Sequence, residues 1–150
     1  MPRGRRRLPV EHLVGADAIL HAGDLMERAV LEELQALGPP VHAVQGNVDD
    51  RWLQERLPLQ RTLEFAGVRI GMIHDAGPAK GRLTRLKRGF PDVDAVIFGH
   101  SHIPLHETDA DGFQIFNPGS PTDKRRQPHG TLGLARIEHR KITFDLLELA

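Results

Sequence analysis

Short apolar segments alternate with polar, glycine-containing turns in the first half of the chain. Apolar runs cover residues 17–21 and 41–45. Between them, leucines and a valine recur at helical spacing over residues 27–37, and Gly38 followed by two prolines ends the predicted helix. A strand, a helix and a second strand in this order predict a βαβ unit, whose two strands are parallel.

The second half of the chain has a different pattern, with frequent turns. Residues 61–64 and 68–73 are predicted strands on either side of a hairpin turn, and residues 82–88 are a predicted short basic helix. Residues 94–98 (DAVIF) form a third buried strand. The last third predicts antiparallel strands at 105–108, 113–116, 131–138 and 141–149. The pattern therefore predicts a mixed α/β chain with a parallel half and an antiparallel half, in a single domain over residues 1–150.

Composition removes several functional classes. Twenty basic and twenty acidic residues give a net charge near zero, so the broad positive surface of a stable nucleic-acid binder is not expected. The chain has no cysteine, which excludes disulfides, thiolate nucleophiles and thiolate metal ligands. No apolar run reaches the length of a membrane span, and no signal peptide is evident, so we expect a cytoplasmic protein.

Potential metal ligands follow each of the four apolar strands. The segments are Gly23-Asp24, Gly46-Asn47, His74-Asp75 and Gly99-His100-Ser101-His102. Ligands collect at the carboxyl ends of strands in open α/β sheets, so we expect one carboxylate, one amide and three imidazoles to converge there. This mixed nitrogen and oxygen set suits Mn²⁺, Fe, Zn²⁺ or Ni²⁺ better than Ca²⁺ or Mg²⁺. Paired metal ions of this kind are a common device for phosphoester hydrolysis.

The order G-D, G-N, H and G-H-x-H resembles the calcineurin-like metallophosphoesterases. The segment Asn117-Pro118-Gly119-Ser120 adds a similarity to their small bacterial and archaeal phosphodiesterase branch. The resemblance implies a β-sandwich of two mixed sheets flanked by helices. It also implies a phosphodiesterase that acts through a metal-bound hydroxide at a dinuclear site, with two divalent transition metals, of which manganese is favoured.

The resemblance also implies residue roles. Asp24 would bridge both metals, Asn47, His74 and His100 would complete one shell, and His102 would bind the second metal. Asp24, Asn47 and His74 would serve catalysis by positioning metal and phosphate, without a protein nucleophile. Two further residues, Asp49 and Asp75, are candidates for orienting the ligands or shaping the turns.

The chain departs from the family pattern at its start. The family begins with an apolar strand ending in D-x-H, and nothing before Asp24 fits this motif; the pair Glu11-His12 is a weak substitute. We expect this first strand to lie upstream of Met1, so that the fold lacks it here. One metal site is then complete in this chain, and we expect reduced or absent activity and possible homo-oligomerisation.

A second departure concerns the general acid. Many members of the superfamily have a histidine after G-N, where this chain has Val48. The small phosphodiesterase branch commonly lacks that histidine too, so Val48 agrees with a small phosphodiester substrate that carries a good leaving group. The alternative function is a catalytically impaired metal-binding module of the same fold that serves as a protein-interaction scaffold.

Overall fold

The computed structural model describes residues 15–23, 28–47, 49–120 and 130–149. The three helices of this part of the chain are α1 (Arg28–Gln35), α2 (Arg51–Arg56) and α3 (Arg82–Gly89). The strands are β1 (Ile19–His21), β2 (Val41–Ala43), β3 (Gln60–Phe65), β4 (Val68–Ile73), β5 (Ala95–Phe98), β6 (Leu105–Thr108), β7 (Gln114–Asn117), β8 (Gly130–Glu138) and β9 (Lys141–Leu149).

A five-stranded mixed sheet in the order β3-β4-β5-β7-β6 forms the centre of the fold. Its three inner strands β4, β5 and β7 are parallel, and the edge strands β3 and β6 are antiparallel to their neighbours. All four residues of β5 are apolar and buried. A continuous apolar run of this kind is required because both faces of the central sheet are covered.

Two small sheets lie against one face of the central sheet. One is the parallel pair β1-β2, and the other is the antiparallel hairpin β8-β9. Ile70 and Met72 of β4 share a core with Leu20 of β1 and with Ile142 and Phe144 of β9. The two small sheets therefore form the second layer of a β-sandwich.

Helices cover the outer faces of the sandwich. On the face of the central sheet opposite the two small sheets, Leu86 of α3 and Phe90, just after α3, pack with Val96 and Phe98. Leu31 and Leu34 of α1 pack with Ala43 of β2 and Leu53 of α2 on the other side. This confirms the predicted mixed α/β sandwich flanked by helices.

The local predictions were mostly confirmed, with two corrections. Strands β1 and β2 are parallel, with α1 between them, and a hairpin joins β3 to β4. The helix α2 was not predicted. The division into a parallel and an antiparallel half was wrong, because β7 pairs in parallel with β5. In the described part of the chain, no helix has the length and apolarity needed to cross a membrane.

The first prediction concerns Gly71, in the middle of β4. A β-carbon at this position would lie 2.5 Å from Cδ1 of the buried Phe90 ring. Gly71→Ala should therefore lower the free energy of unfolding by about 1–3 kcal/mol through overpacking. Urea denaturation tests this against Gly89→Ala, which meets no atom within 4 Å and should not destabilise. Equal stability of the two variants would contradict the packing argument.

The second prediction concerns His42 on β2. Burial, and secondly the Arg61 guanidinium, lower the pKa of His42 from its ordinary value of 6.5. The unfolded chain therefore binds the proton more readily, and the folded state loses stability as pH falls through and below 6.5. His42→Leu should flatten the dependence of the urea midpoint on pH between about 5 and 7.5. An unchanged pH dependence in the variant would show that His42 makes no such contribution.

Candidate metal centre

The loops that follow four strands meet at one edge of the sandwich. Ala22 follows β1, Asn47 follows β2, His74 follows β4 and His100 follows β5. The loops are joined by backbone hydrogen bonds, including Gly99 N to His74 O at 2.9 Å. The parallel strands thus bring one amide and two imidazoles together, as the strand ends had indicated.

His74 is the buried centre of this group, with 3% of its surface exposed. Its Nδ1 lies 2.8 Å from the carbonyl oxygen of Ala22. Since a carbonyl only accepts, Nδ1 carries the hydrogen, and the neutral ring then presents a lone pair at Nε2. The adjacent Gly23 permits this approach, because a β-carbon there would lie 2.6 Å from the same Nδ1.

Three potential ligand atoms face one another at this point. Asn47 Oδ1 lies 2.8 Å from His74 Nε2, and His100 Nδ1 lies 3.3 Å from each of those two atoms. With the His74 hydrogen on Nδ1, its Nε2 and Asn47 Oδ1 are both acceptors, so their approach needs a hydrogen or a positive charge beside them. A hydrogen on His100 Nδ1 could be shared between the two, and a metal ion bound by all three atoms would satisfy them at once.

The spacing fits a transition metal. With metal–nitrogen bonds near 2.1 Å, adjacent ligand atoms at octahedral or tetrahedral angles lie about 3.0–3.4 Å apart. The observed separations of 2.8 to 3.3 Å are close to this range. Two imidazole nitrogens and an amide oxygen are also the mixed donor set that such metals accept.

The loop that carries Asn47 is fixed by its own polar side chains. The buried carboxylate of Asp49 accepts a hydrogen bond from Gly46 N at 2.7 Å. Asp50 caps α2 by accepting from Leu53 N, and Gln45 donates to Leu57 O at 2.9 Å. Asp49 therefore shapes the turn on which Asn47 stands.

Asp75 and Arg85 of the basic helix α3 make hydrogen bonds to the loop after His74. Asp75 is exposed and accepts from Gly77 N at 2.8 Å, so its contact is with this loop. Arg85 donates to the carbonyl oxygens of Ala76 and Pro78 at 2.6 and 2.7 Å. The guanidinium of Arg85 is thus committed to holding the loop.

His100 lies in a strained turn. Its φ is 74°, and the adjacent Ser101 N donates to Gly99 O at 3.0 Å, which makes a γ-turn of the rare positive-φ type. His102, two residues later and half-buried, has φ 61°. A left-handed backbone costs roughly 1–2 kcal/mol at a non-glycine residue.

Several predicted residues lie outside the described part of the chain. These are Asp24, Val48, Glu11 and His12. Within the described ranges, no group of three or more histidine or acidic side chains is placed to hold a metal. The third side chain beside His74 and His100 is instead the amide of Asn47.

Asn117 contributes to the site through a contact that the sequence did not indicate. In the sequence, the segment Asn117-Pro118-Gly119-Ser120 shows only a similarity to the small phosphodiesterase branch. Asn117 is instead fully buried and contacts the loop that carries His100. The Asn-Pro-Gly-Ser segment was the only signal, and it does not show which loop the amide meets.

The left-handed backbone gives a third prediction. His100→Gly and His100→Ala remove the same imidazole, but only glycine relieves the strain. In the presence of chelator, the free energy of unfolding should be about 1 kcal/mol higher for the glycine variant than for the alanine variant, as measured by urea denaturation. At His106 on β6 the order should reverse, since glycine weakens a strand. The same order at both sites would contradict this account.

Known proteins share both the sequence pattern and the fold. The family model for the calcineurin-like phosphoesterase superfamily domain matches residues 4–140. A probable metallophosphoesterase of Methanothermobacter thermautotrophicus is 34% identical over 133 residues, which span 87% of this chain and 75% of that protein. A probable metallophosphoesterase of Methanocaldococcus jannaschii is 38% identical over 112 residues, 73% of this chain and 55% of that protein.

A solved structure supports the fold. Vps29 of Entamoeba histolytica in complex with Zn²⁺ aligns with a TM-score of 0.76 at 21% identity, covering 97% of this chain and 92% of that one. The family match spans the loops that carry Asn47, His74 and His100. The chain therefore belongs to the calcineurin-like phosphoesterase superfamily, whose members use divalent metals and hydrolyse phosphoric esters.

Proposed function

We propose that this domain is a metal-dependent phosphodiesterase with a dinuclear site at the carboxyl ends of β1, β2, β4 and β5. The observation that carries the proposal is the convergence of Asn47 Oδ1, His74 Nε2 and His100 Nδ1 within 3.3 Å of one another. Membership of a phosphoesterase superfamily gives this cluster its chemical context.

The proposed ligand set follows the family pattern. Asn47, His74 and His100 hold one ion together with Asp24, and His102 with Asp24 belongs to the second. Divalent ions in such a site supply positive charge for phosphoryl oxygens and lower the pKa of a bound water. We favour manganese, because the nitrogen and oxygen donors suit it and the chain has no thiolate.

The side chains around the cluster bind and orient. The Ala22 carbonyl fixes the His74 tautomer, with Nε2 directed at Asn47. Ser101, the hydroxyl beside His100, accepts hydrogen bonds from Asn117 and from Ile103 N. Its oxygen is thus engaged in holding the loop, which agrees with a reaction that uses no protein nucleophile.

The substrate we propose is a small phosphodiester with a good leaving group. Val48 stands directly after Asn47 and cannot donate a proton, so this position supplies no general acid to protonate an alkoxide leaving group. The cytoplasmic location, the absence of a stable nucleic-acid partner and a homo-oligomeric state remain predictions from the sequence.

The fourth prediction tests the metal and the reaction together. Calorimetric titration of the chelator-treated protein with Mn²⁺, and hydrolysis of bis(4-nitrophenyl) phosphate with and without Mn²⁺, are the measurements. We expect Mn²⁺ binding, and hydrolysis that EDTA abolishes. His74→Ala should weaken binding by more than about 100-fold, since losing a ligand costs more than losing its support.

A matched control is His106→Ala, which removes an exposed imidazole on β6 and should change neither measurement. Absence of Mn²⁺ binding by the unmodified protein, or equal binding by the His74 and His106 variants, would overturn the proposal. Binding that depends on His74 without any hydrolysis would favour the alternative, a metal-binding scaffold of the same fold.

A further inference from the structure

The side-chain amide of Asn117 is fully buried, so its donors and its acceptor need partners within the protein. Asn117 ends β7, which pairs in parallel with β5, and its exposed surface is 0%. Its Nδ2 donates to Gly99 O and to Ser101 Oγ, each at 3.2 Å, and its Oδ1 accepts from Gly119 N at 2.9 Å. One amide therefore uses both of its donor hydrogens on the two residues that flank His100.

The amide is itself held in place from the other side. Thr131 Oγ1 donates to Pro118 O at 2.6 Å, and Thr131 N donates to Ser120 O at 2.9 Å. Gly119 has φ 74° and lies directly against Thr131. The turn after Asn117 is thus fixed to β8, and the side chain that reaches the His100 loop starts from a rigid base.

The hydrogen bonds of Asn117 fall at the strained turn that contains His100. Gly99 O and Ser101 N are the two ends of the γ-turn centred on His100. By binding Gly99 O and the Ser101 side chain, the amide favours the turn over extended conformations that would relieve the positive φ. These two hydrogen bonds help to offset the cost of the left-handed backbone at His100.

The Ser101 hydroxyl links Asn117 to the backbone around His102. Ser101 Oγ accepts from Asn117 and also from Ile103 N, at 3.2 Å in each case. His102, with φ 61°, lies between Ser101 and Ile103. Asn117 donates to the residues on both sides of His100, and the Ser101 hydroxyl that it contacts accepts the hydrogen bond from Ile103 N that spans His102.

We propose that Asn117 is a positioning residue of the metal centre. It holds the backbone of His100 directly, and that of His102 through Ser101, in the left-handed conformations that set the positions of the two imidazoles. The consequence for metal affinity rests on the function proposed above, whereas the consequence for the loop does not depend on any metal.

The experiment compares three variants of the whole chain. Asn117→Ala removes every contact of the amide, and Ser101→Ala removes the link to Ile103 while leaving the Gly99 contact. The matched control is Gln114→Ala, which removes a partly buried amide of the same strand that donates to Ile142 O, away from the loop. If Asn117→Ala fails to fold, Ser101→Ala and Asn117→Ser carry the test.

The first measurement is amide hydrogen exchange by NMR in the metal-free proteins. Asn117→Ala should speed exchange at both Ser101 and Ile103. Ser101→Ala should speed it chiefly at Ile103, because of these two backbone amides it is Ile103 N that donates to the lost hydroxyl, whereas Ser101 N donates to Gly99 O. Gln114→Ala should change neither amide. Unchanged exchange at Ser101 and Ile103 in Asn117→Ala would overturn the positioning role whether or not the protein binds metal.

The second measurement is Mn²⁺ affinity by calorimetry. Asn117→Ala should bind Mn²⁺ about 10- to 100-fold more weakly, the usual effect of losing a group that orients a ligand, and Gln114→Ala should bind as the unmodified protein does. If Asn117→Ala and Gln114→Ala weakened Mn²⁺ binding equally, Asn117 would only stabilise the fold and would not position the metal centre. If the unmodified protein binds no Mn²⁺, the function proposed above fails, and the exchange measurement alone decides the role of Asn117.

Discussion

The hydrogen bond from His74 to the Ala22 carbonyl is the contact on which the candidate site depends. It joins the loop after β4, in the central sheet, to the loop after β1, in the small sheet. It therefore ties the two layers of the sandwich together at the edge where the ligands meet, and it selects the His74 tautomer. Two glycines make room for it. A β-carbon at Gly23 would overlap the imidazole, and one at Gly99 would lie 3.2 Å from the Ala22 oxygen.

The two loops that carry Asn47 and His100 are stabilised in the same way. A short, buried polar side chain beside each loop makes a hydrogen bond to a backbone group: Asp49 accepts from Gly46 N before Asn47, and Asn117 donates to Gly99 O before His100. Buried polar atoms are costly when unpaired, so each loop has one low-energy shape. Rigid loops of this kind preorganise ligand atoms and reduce the entropy that metal binding would otherwise cost.

The sequence predicted the elements and the strand ends well because both are local. Periodicity placed β1, α1 and β2, and the polar residues at the strand ends indicated where Asn47, His74 and His100 would meet. The six-residue helix α2 was missed because its length covers less than two turns, which is too short for a periodic signal. The pairing of β7 with β5 was also missed, since antiparallel hairpins were expected from short turns, and parallel pairing between these strands is a property of the whole sheet.

The role of Asn117 follows from that same non-local pairing, and it explains why local rules fail at the site. Among the described residues, the non-glycine residues with positive φ outside the site are Ala66, Asp92, His139 and Arg140, all in turns or loops between elements. Ala66, His139 and Arg140 lie in tight hairpins, whose geometry itself requires a left-handed backbone. His100 and His102 are not in a hairpin, and their conformation is sustained by side-chain contacts from a strand that comes later in the chain. Backbone strain that only tertiary contacts maintain is a mark of a site selected for geometry over stability.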